Sequence, residues 1–318
     1  MSHSEKDTNV PRYIPLLAGG FSGVATRFIC QPLDVLKIRF QLQVEPIAKS
    51  GVESKYKSIP QATRLIILEE GVGALWKGHV PAQFLSLTYG MIQFGVYNGL
   101  VKESKSYPLL ADNKSKVEFV CGFTSGCLAT IFSFPFDIVR TRLIIQGNNK
   151  VYKNMFHGLN HIYKHEGVRG WFKGLSPTLL QIGPLSGLQF ASYHFFKRLL
   201  KEFETKSNMT SKWFTVSETA VAGSMAGFTA KILVYPLDLF RKRLQFQGFQ
   251  QARKGYGKNF TCSSLVTCVT ETVRGERTVG LFKGLTPSLV KASIVNALIF
   301  TFYEEMYSYL LRLHQVPR

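Results

Sequence analysis

Apolar residues in this chain gather into long stretches that are broken by isolated polar residues and separated by polar segments in a regular rhythm. Each period predicts a long helix, a polar loop with a short amphipathic helix, and a second long helix ending near a tyrosine (Tyr97, Tyr193, Tyr303). The long segments exceed the roughly 20 residues that cross a bilayer, so tilting or kinking is expected. Pro32, Pro135 and Pro236 supply the kinks. Polar groups inside the apolar runs, Arg27, Lys231 and Lys291 among them, should face a bundle interior. The pattern predicts six spans around a central cavity.

The rhythm is a tandem triplication. A small-residue pair recurs at Gly19 and Gly23, Gly122 and Gly126, and Gly223 and Gly227, always at the same distance before the proline. It suits close helix packing in lipid. The proline opens a second phrase: PLDVLKIR, PFDIVRTR and PLDLFRKR. A third phrase runs from an acid to an aromatic-Lys-Gly: EGVGALWKG, EGVRGWFKG and ERTVGLFKG, the last with Arg277 where the others have glycine. The expected division is a polar tail over 1–11, repeats over 12–108, 109–207 and 208–312, and a tail over 313–318.

Composition narrows the class. Lys and Arg outnumber Asp and Glu 39 to 20, yet aromatics reach 13%, so the excess charge sits on a structured body rather than a disordered tail. A mean hydropathy near zero fits helices with one polar, cavity-lining face. The five cysteines show no CxxC pair or zinc spacing, so neither a disulfide framework nor a structural metal is expected. The first twelve residues lack the features of a cleaved leader, which places targeting information internally. His157, His161 and His165 recur at helical spacing and are read as one face of an amphipathic helix, not a metal site. No Walker loop, nucleophile elbow or HExxH occurs, so no catalytic residue is expected and the chain reads as a transporter rather than an enzyme.

Asp34 with Lys37, Asp137 with Arg140, and Asp238 with Arg241 set an acid and a base three residues apart on one helix face beside each kink. In a three-fold bundle these can close a ring. The expected pairs are Lys37 with Asp137, Arg140 with Asp238, and Arg241 with Asp34. Gln41 and Gln245 would brace two of them, while Ile144 at the third position cannot.

These phrases resemble the mitochondrial carrier family (solute carrier family 25), from about Leu16 to Tyr309. The resemblance implies an all-α fold: six tilted transmembrane helices with three-fold pseudosymmetry, plus three short matrix helices. It implies a multi-pass inner-membrane protein that works by alternating access, with the Asp/basic ring as matrix gate and a monomer sufficient. It also implies cardiolipin at Lys77-Gly78, Lys173-Gly174 and Lys283-Gly284. The family's outer gate is degraded here to one candidate pair, Lys197 with Glu304, which favours an outward-open resting state.

Family contact points fall on Leu85 and Ser86, Gln181 and Ile182, and Lys291 and Ala292, with Arg27, Thr130 and Lys231 on the odd-numbered helices. Arg27, Lys231 and Lys291 have no acidic partner evident in the sequence, so they call for an anion. Gln93, Gln181, Gln189, Tyr89 and Asn296 suit a flat heterocycle. KIRFQLQ, WKGHVPAQ and YPLDLFRKRLQ are similar to the thiamine pyrophosphate branch of the family, Phe134 being a departure from its pattern. That implies import of thiamine diphosphate, as substrate and not cofactor, in exchange for nucleotides or related phosphates. A carrier of deoxynucleotides, ADP and ATP, coenzyme A or another phosphorylated cofactor is the rival. A basic interaction protein without a membrane role is the remote one, and no nucleic-acid partner is expected.

Overall fold

A computed structural model describes residues 11, 13–45, 54–104, 114–147, 150–207, 212–249 and 261–315. Nine α-helices follow one another among them: α1 (Tyr13–Leu42), α2 (Ile59–Glu70), α3 (His79–Ser104), α4 (Lys114–Ile145), α5 (Met155–Gly170), α6 (Leu175–Ser207), α7 (Lys212–Phe246), α8 (Leu265–Glu276) and α9 (Leu285–Gln315). Each repeat is thus a long helix, a short one and a long one. The expected N-terminal tail lies outside the described residues apart from Pro11, and α9 runs on to Gln315, past the expected end of the third repeat.

The six long helices close into a ring in the order α1, α3, α4, α6, α7, α9. Its most extensive contacts join successive repeats: α3 with α4, α6 with α7, and α9 with α1. At one end α1, α4 and α7 also meet each other. Pro32, Pro135 and Pro236 lie inside these three helices. A helical proline has no N–H to give the carbonyl four residues earlier. The Phe28 carbonyl, freed in this way, accepts instead from Trp76 Nε1 at 3.1 Å.

Beside an apolar core that includes Val35, Ile138 and Ile144, large apolar side chains are exposed and many polar ones are buried. Leu16, Phe94, Phe190 and Phe300 are 65–75% exposed, while Gln31, Gln41, Thr141, Arg142 and Gln245 are completely buried. Large uncovered apolar surface beside a polar interior is the arrangement a bilayer stabilises. Three of the long helices, in the regions Tyr13–Leu42, Lys116–Ile145 and Thr278–His314, are long and apolar enough by themselves to cross a membrane.

The short helices start where side chains satisfy their first N–H groups. Ser58 caps α2, Asn154 caps α5 through its bond from His157 N at 2.8 Å, and Ser264 forms a capping box with Thr267 on α8. Each then turns sharply into an aromatic-Lys-Gly. The turn needs positive φ at Gly71, Gly167 and, in the third copy, Arg277 (φ 56°), where a side chain takes a conformation natural to glycine. Contrary to the cysteine expectation, Cys262 and Cys268 are joined by a disulfide at the start of α8.

Candidate functional site

Where α1, α4 and α7 meet, three ion pairs close the bundle: Lys37 with Asp238 at 2.6 Å, Arg140 with Asp34 at 2.5 Å, and Arg241 with Asp137 at 3.0 Å. The ring of six residues is the expected one, but its hand is reversed. Each base reaches the acid of the other neighbouring repeat from the one expected. Three residues along a helix leave acid and base roughly 60° apart about its axis, so they lean toward different neighbours. Which neighbour depends on the sense in which the repeats run round the bundle, and motif spacing does not carry that sense.

The three pairs are supported differently. Gln41 donates to Asp238 Oδ2 and to the Tyr235 hydroxyl, both at 3.1 Å. Gln245 donates to Asp137, which also receives Lys242 Nζ at 2.9 Å. The Asp34 pair has Ile144 at the brace position, and Asp34 instead receives Lys291 Nζ on Oδ1 at 2.6 Å. Lys291 therefore does have an acidic partner, against expectation, because α9 packs along α1 and brings them together. Lys242 was not anticipated. Its signal was the extra base in PLDLFRKR, where the other repeats have Ile38 and Thr141.

A second cyclic network lies beyond the ring. Arg39, Arg142 and Arg243, the closing arginines of the proline motif, pair with Glu70, Glu166 and Glu276. The same glutamates receive Lys77, Lys173 and Lys283. Each arginine Nε also donates to a carbonyl at the end of the next repeat's kinked helix: Ile144, Gln245 and Gln41. The lysines do the same, Lys77 to Gln146 O at 3.0 Å, Lys173 to Gln247 O at 3.1 Å and Lys283 to Gln43 O at 3.1 Å. Cations at helix C-termini complement the macrodipole. The ammonium groups of these lysines, expected at a phospholipid headgroup, point at a glutamate and at carbonyls.

Gly78, Gly174 and Gly284 make this contact close. A Cβ on Gly174 would stand 2.8 Å from Arg241 O, and one on Gly284 3.0 Å from Lys37 O. Burial pushes the Lys77 ammonium below its ordinary value against the opposing pull of Glu70. Glu166 goes the other way: burial alone would raise its carboxyl, but the hydrogen bonds and charges of Arg142 and Lys173 lower it. On α5, His161 and His165 stack with ring centres 4.0 Å apart, and His157 lies 6.0 Å from His161. The stacked rings do not converge on a common point. Burial and the neighbouring imidazoles lower the His161 value.

Above the ring, three lobes of a cavity lie among the described residues. One of about 590 Å³ lies between α6, α7 and α9 and is lined by Gln181, Gln189, Lys231, Ala292 and Asn296. One of about 420 Å³ lies along α1, α3 and α9 and includes Thr26, Arg27, Asp34, Ser86 and Lys291. The third, about 410 Å³, carries Arg27, Leu85, Ser86, Tyr89, Thr130, Phe134, Gln181 and Ile182. Arg27 and Ser86 link the second lobe to the third, and Gln181 links the third to the first. Gln93 does not line any of these three lobes. Phe134 lies under the Arg241 guanidinium, its ring centre 5.6 Å away.

The three cavity cations differ in what holds them. Lys231 Nζ donates to Ser288 O at 2.7 Å, Lys291 is ion-paired, and Arg27 makes no hydrogen bond or ion pair to the described residues. At the opposite, open end, Lys197 lies over the Tyr193 ring at 5.6 Å and makes no ion pair with Glu304 among the described residues. The expected outer-gate pair is unformed while the inner ring is closed.

The family model for mitochondrial carrier protein matches residues 9–106, 112–204 and 212–314. The chain is 41% identical over 299 residues to the mitochondrial thiamine pyrophosphate carrier of Homo sapiens, spanning 93% of this chain and 92% of that one. It is 38% identical over 324 residues to mitochondrial thiamine diphosphate carrier 1 of Zea mays, spanning 96% of each. A further relative is mitochondrial thiamine pyrophosphate carrier 1 of Coccidioides immitis, 35% identical over 310 residues. With a three-fold family match over almost its whole length, and with the ring and repeat contacts in place, this chain belongs to the mitochondrial carrier family.

Proposed function

We propose that this chain imports thiamine diphosphate across the mitochondrial inner membrane, in exchange for nucleotides or related phosphates. The observation that carries the reading is Arg27, a guanidinium with no hydrogen bond or ion pair among the described residues, in a cavity lobe that it shares with Lys291. An unpaired cation in such a place is costly until an anion answers it, and a diphosphate matches the fork of an arginine. Gln181, Gln189 and Asn296, in the neighbouring lobe, offer amides to an aminopyrimidine. The names that the relatives carry support the same substrate.

In this reading the Asp/basic ring is the matrix gate and the cavity opens toward the intermembrane space. Binding energy offsets the breaking of the ring, so an empty site does not cross and exchange results. The protein works as a monomer, the three-fold ring being complete within one chain. Cardiolipin belongs at the three aromatic-Lys-Gly turns, its headgroup met by backbone N–H groups at the starts of α3, α6 and α9 rather than by the lysine charges. Uptake of labelled thiamine diphosphate into liposomes containing the purified protein tests the reading. Saturable uptake stimulated by internal nucleotide is expected. Nucleotide exchange without thiamine diphosphate uptake would reassign the substrate to the nucleotide rivals.

A further inference from the structure

The last turns of α6 carry a cluster of bases that neither the cavity nor the ring uses. His194, Lys197, Arg198 and Lys201 stand at i, i+3, i+4 and i+7, the spacing that puts side chains on one helix face. With Glu202 they line a surface hollow of about 430 Å³, three full positive charges against one negative. Gln189 lines the cavity from the same helix, and Arg198 follows it by nine residues, about 180° round the axis. The basic face therefore looks away from the cavity. Lys197, expected at the outer gate, belongs to this hollow, its ammonium resting on the Tyr193 ring at 5.6 Å.

The surface beside the cluster is apolar. Phe190, one turn before His194, is 65% exposed, and Phe195 is 59% exposed. Lys197 follows Leu175, where α6 begins, by 22 residues, roughly 33 Å at a rise of about 1.5 Å each, or about one hydrocarbon thickness. The face thus passes from aromatic to basic where α6 leaves the hydrocarbon for the headgroup layer at the open end of the bundle. Long basic side chains placed there lay their stems along acyl chains and turn their charges to phosphate. The cluster is peculiar to the second repeat. At the equivalent places α3 begins with Asn98 and Val101, and α9 has no base, carrying Glu304, Tyr307, Ser308 and Leu311.

We propose that this hollow binds the headgroup phosphate of an anionic phospholipid in the leaflet at the open end of the bundle. It lies across the membrane from the three aromatic-Lys-Gly turns and is a separate lipid site, made of side-chain charges on one helix face.

Bimane attached at Phe195→Cys reports lipid beside the hollow, in the full chain with Cys30, Cys121 and Cys127 replaced by serine and reconstituted in phosphatidylcholine vesicles. The quenchers are phosphatidylglycerol and phosphatidylcholine, each carrying a nitroxide on an acyl chain. Half-quenching is expected at a mole fraction of phosphatidylglycerol at least about fivefold below that of phosphatidylcholine. With Lys197→Gln, Arg198→Gln and Lys201→Gln combined, the two lipids should quench alike. Arg198→Gln alone, at an exposed position, should reduce the preference at least about twofold, which keeps the test readable if the triple variant does not fold. Bimane at Phe94→Cys, a position 70% exposed on α3, should show no preference. Equal quenching by both lipids at Phe195, an undiminished preference in Arg198→Gln, or the same preference at Phe94, which would make it a product of overall charge, overturns the site. So does a preference that inorganic phosphate removes and chloride at matched ionic strength does not, since the hollow would then hold a free anion.

Discussion

Replacing Arg142 by methionine tests whether the network beyond the gate holds the repeats together. Arg142 is completely buried and donates to Gln245 O at 3.1 Å, Gln247 O at 2.9 Å, the Tyr152 hydroxyl at 3.1 Å and both oxygens of Glu166. Methionine keeps much of the volume and removes every one of these bonds. Breaking a buried pair by deleting one partner costs about 3–5 kcal/mol, because the other charge stays behind. Lys173 still answers Glu166 at 2.5 Å, which lowers that figure. Two carbonyls at the end of α7 lose donors, at about 1 kcal/mol each. The sum is a destabilisation of about 4 kcal/mol. Thermal unfolding of purified protein in detergent reads it, with Arg142→Lys expected to recover part of the loss by keeping a charge near Glu166. Arg39→Met and Arg243→Met, at the equivalent positions, should lose comparable amounts. A loss under about 1 kcal/mol in Arg142→Met, the range of an exposed ion pair, would refute the network as the fastening between repeats.

Other expected outcomes follow from single positions. Arg277→Gly should stabilise the protein by about 1–3 kcal/mol in the same assay, since the backbone there adopts a glycine conformation and its N–H bond to Val273 O is retained. Gly174→Ala places a methyl against Arg241 O at positive φ, so it should destabilise the ring-closed state by about 1–3 kcal/mol and slow exchange in liposomes. The Glu166 carboxyl is held below its ordinary value of 4.5, so its ionised form contributes stability that is complete above that pH and is lost as pH falls through its lower folded value. A thermal melt series through the acid range should show that loss, and Glu166→Gln should flatten it.

The triplication, the long helices with their internal prolines and the ring membership are legible because each is written three times in the sequence. Repetition marks the residues but not their partners. The hand of the ring depends on how repeats follow one another in space, and the spacing of Asp34 and Lys37 is the same for either hand. The arginines of the second network were equally repetitive, at Arg39, Arg142 and Arg243, yet the adjoining lysines were read toward lipid because a sequence does not show which way an ammonium turns. Asymmetric residues were harder still. Lys291 was read as a free cation because Asp34 is far from it in sequence, and only the packing of α9 on α1 joins them. Lys242 differed visibly from Ile38 and Thr141, a clue of the same kind as Arg27 against Thr130 and Lys231. Cys262 and Cys268 meet because the turn ahead of α8 folds back on its first residues, a local geometry that cysteine counting does not register.

The exchange rate of labelled thiamine diphosphate in liposomes, compared between wild type and Arg27→Gln, tests the central claim most directly. Arg27 makes no bond to the described residues, so its replacement should leave the fold and the ring intact. The account predicts saturable exchange in the wild type and a loss of at least about tenfold in Arg27→Gln, with the thermal unfolding temperature of ligand-free protein unchanged. Wild-type exchange in the variant, or uptake by the wild type no greater than by empty vesicles, would contradict it.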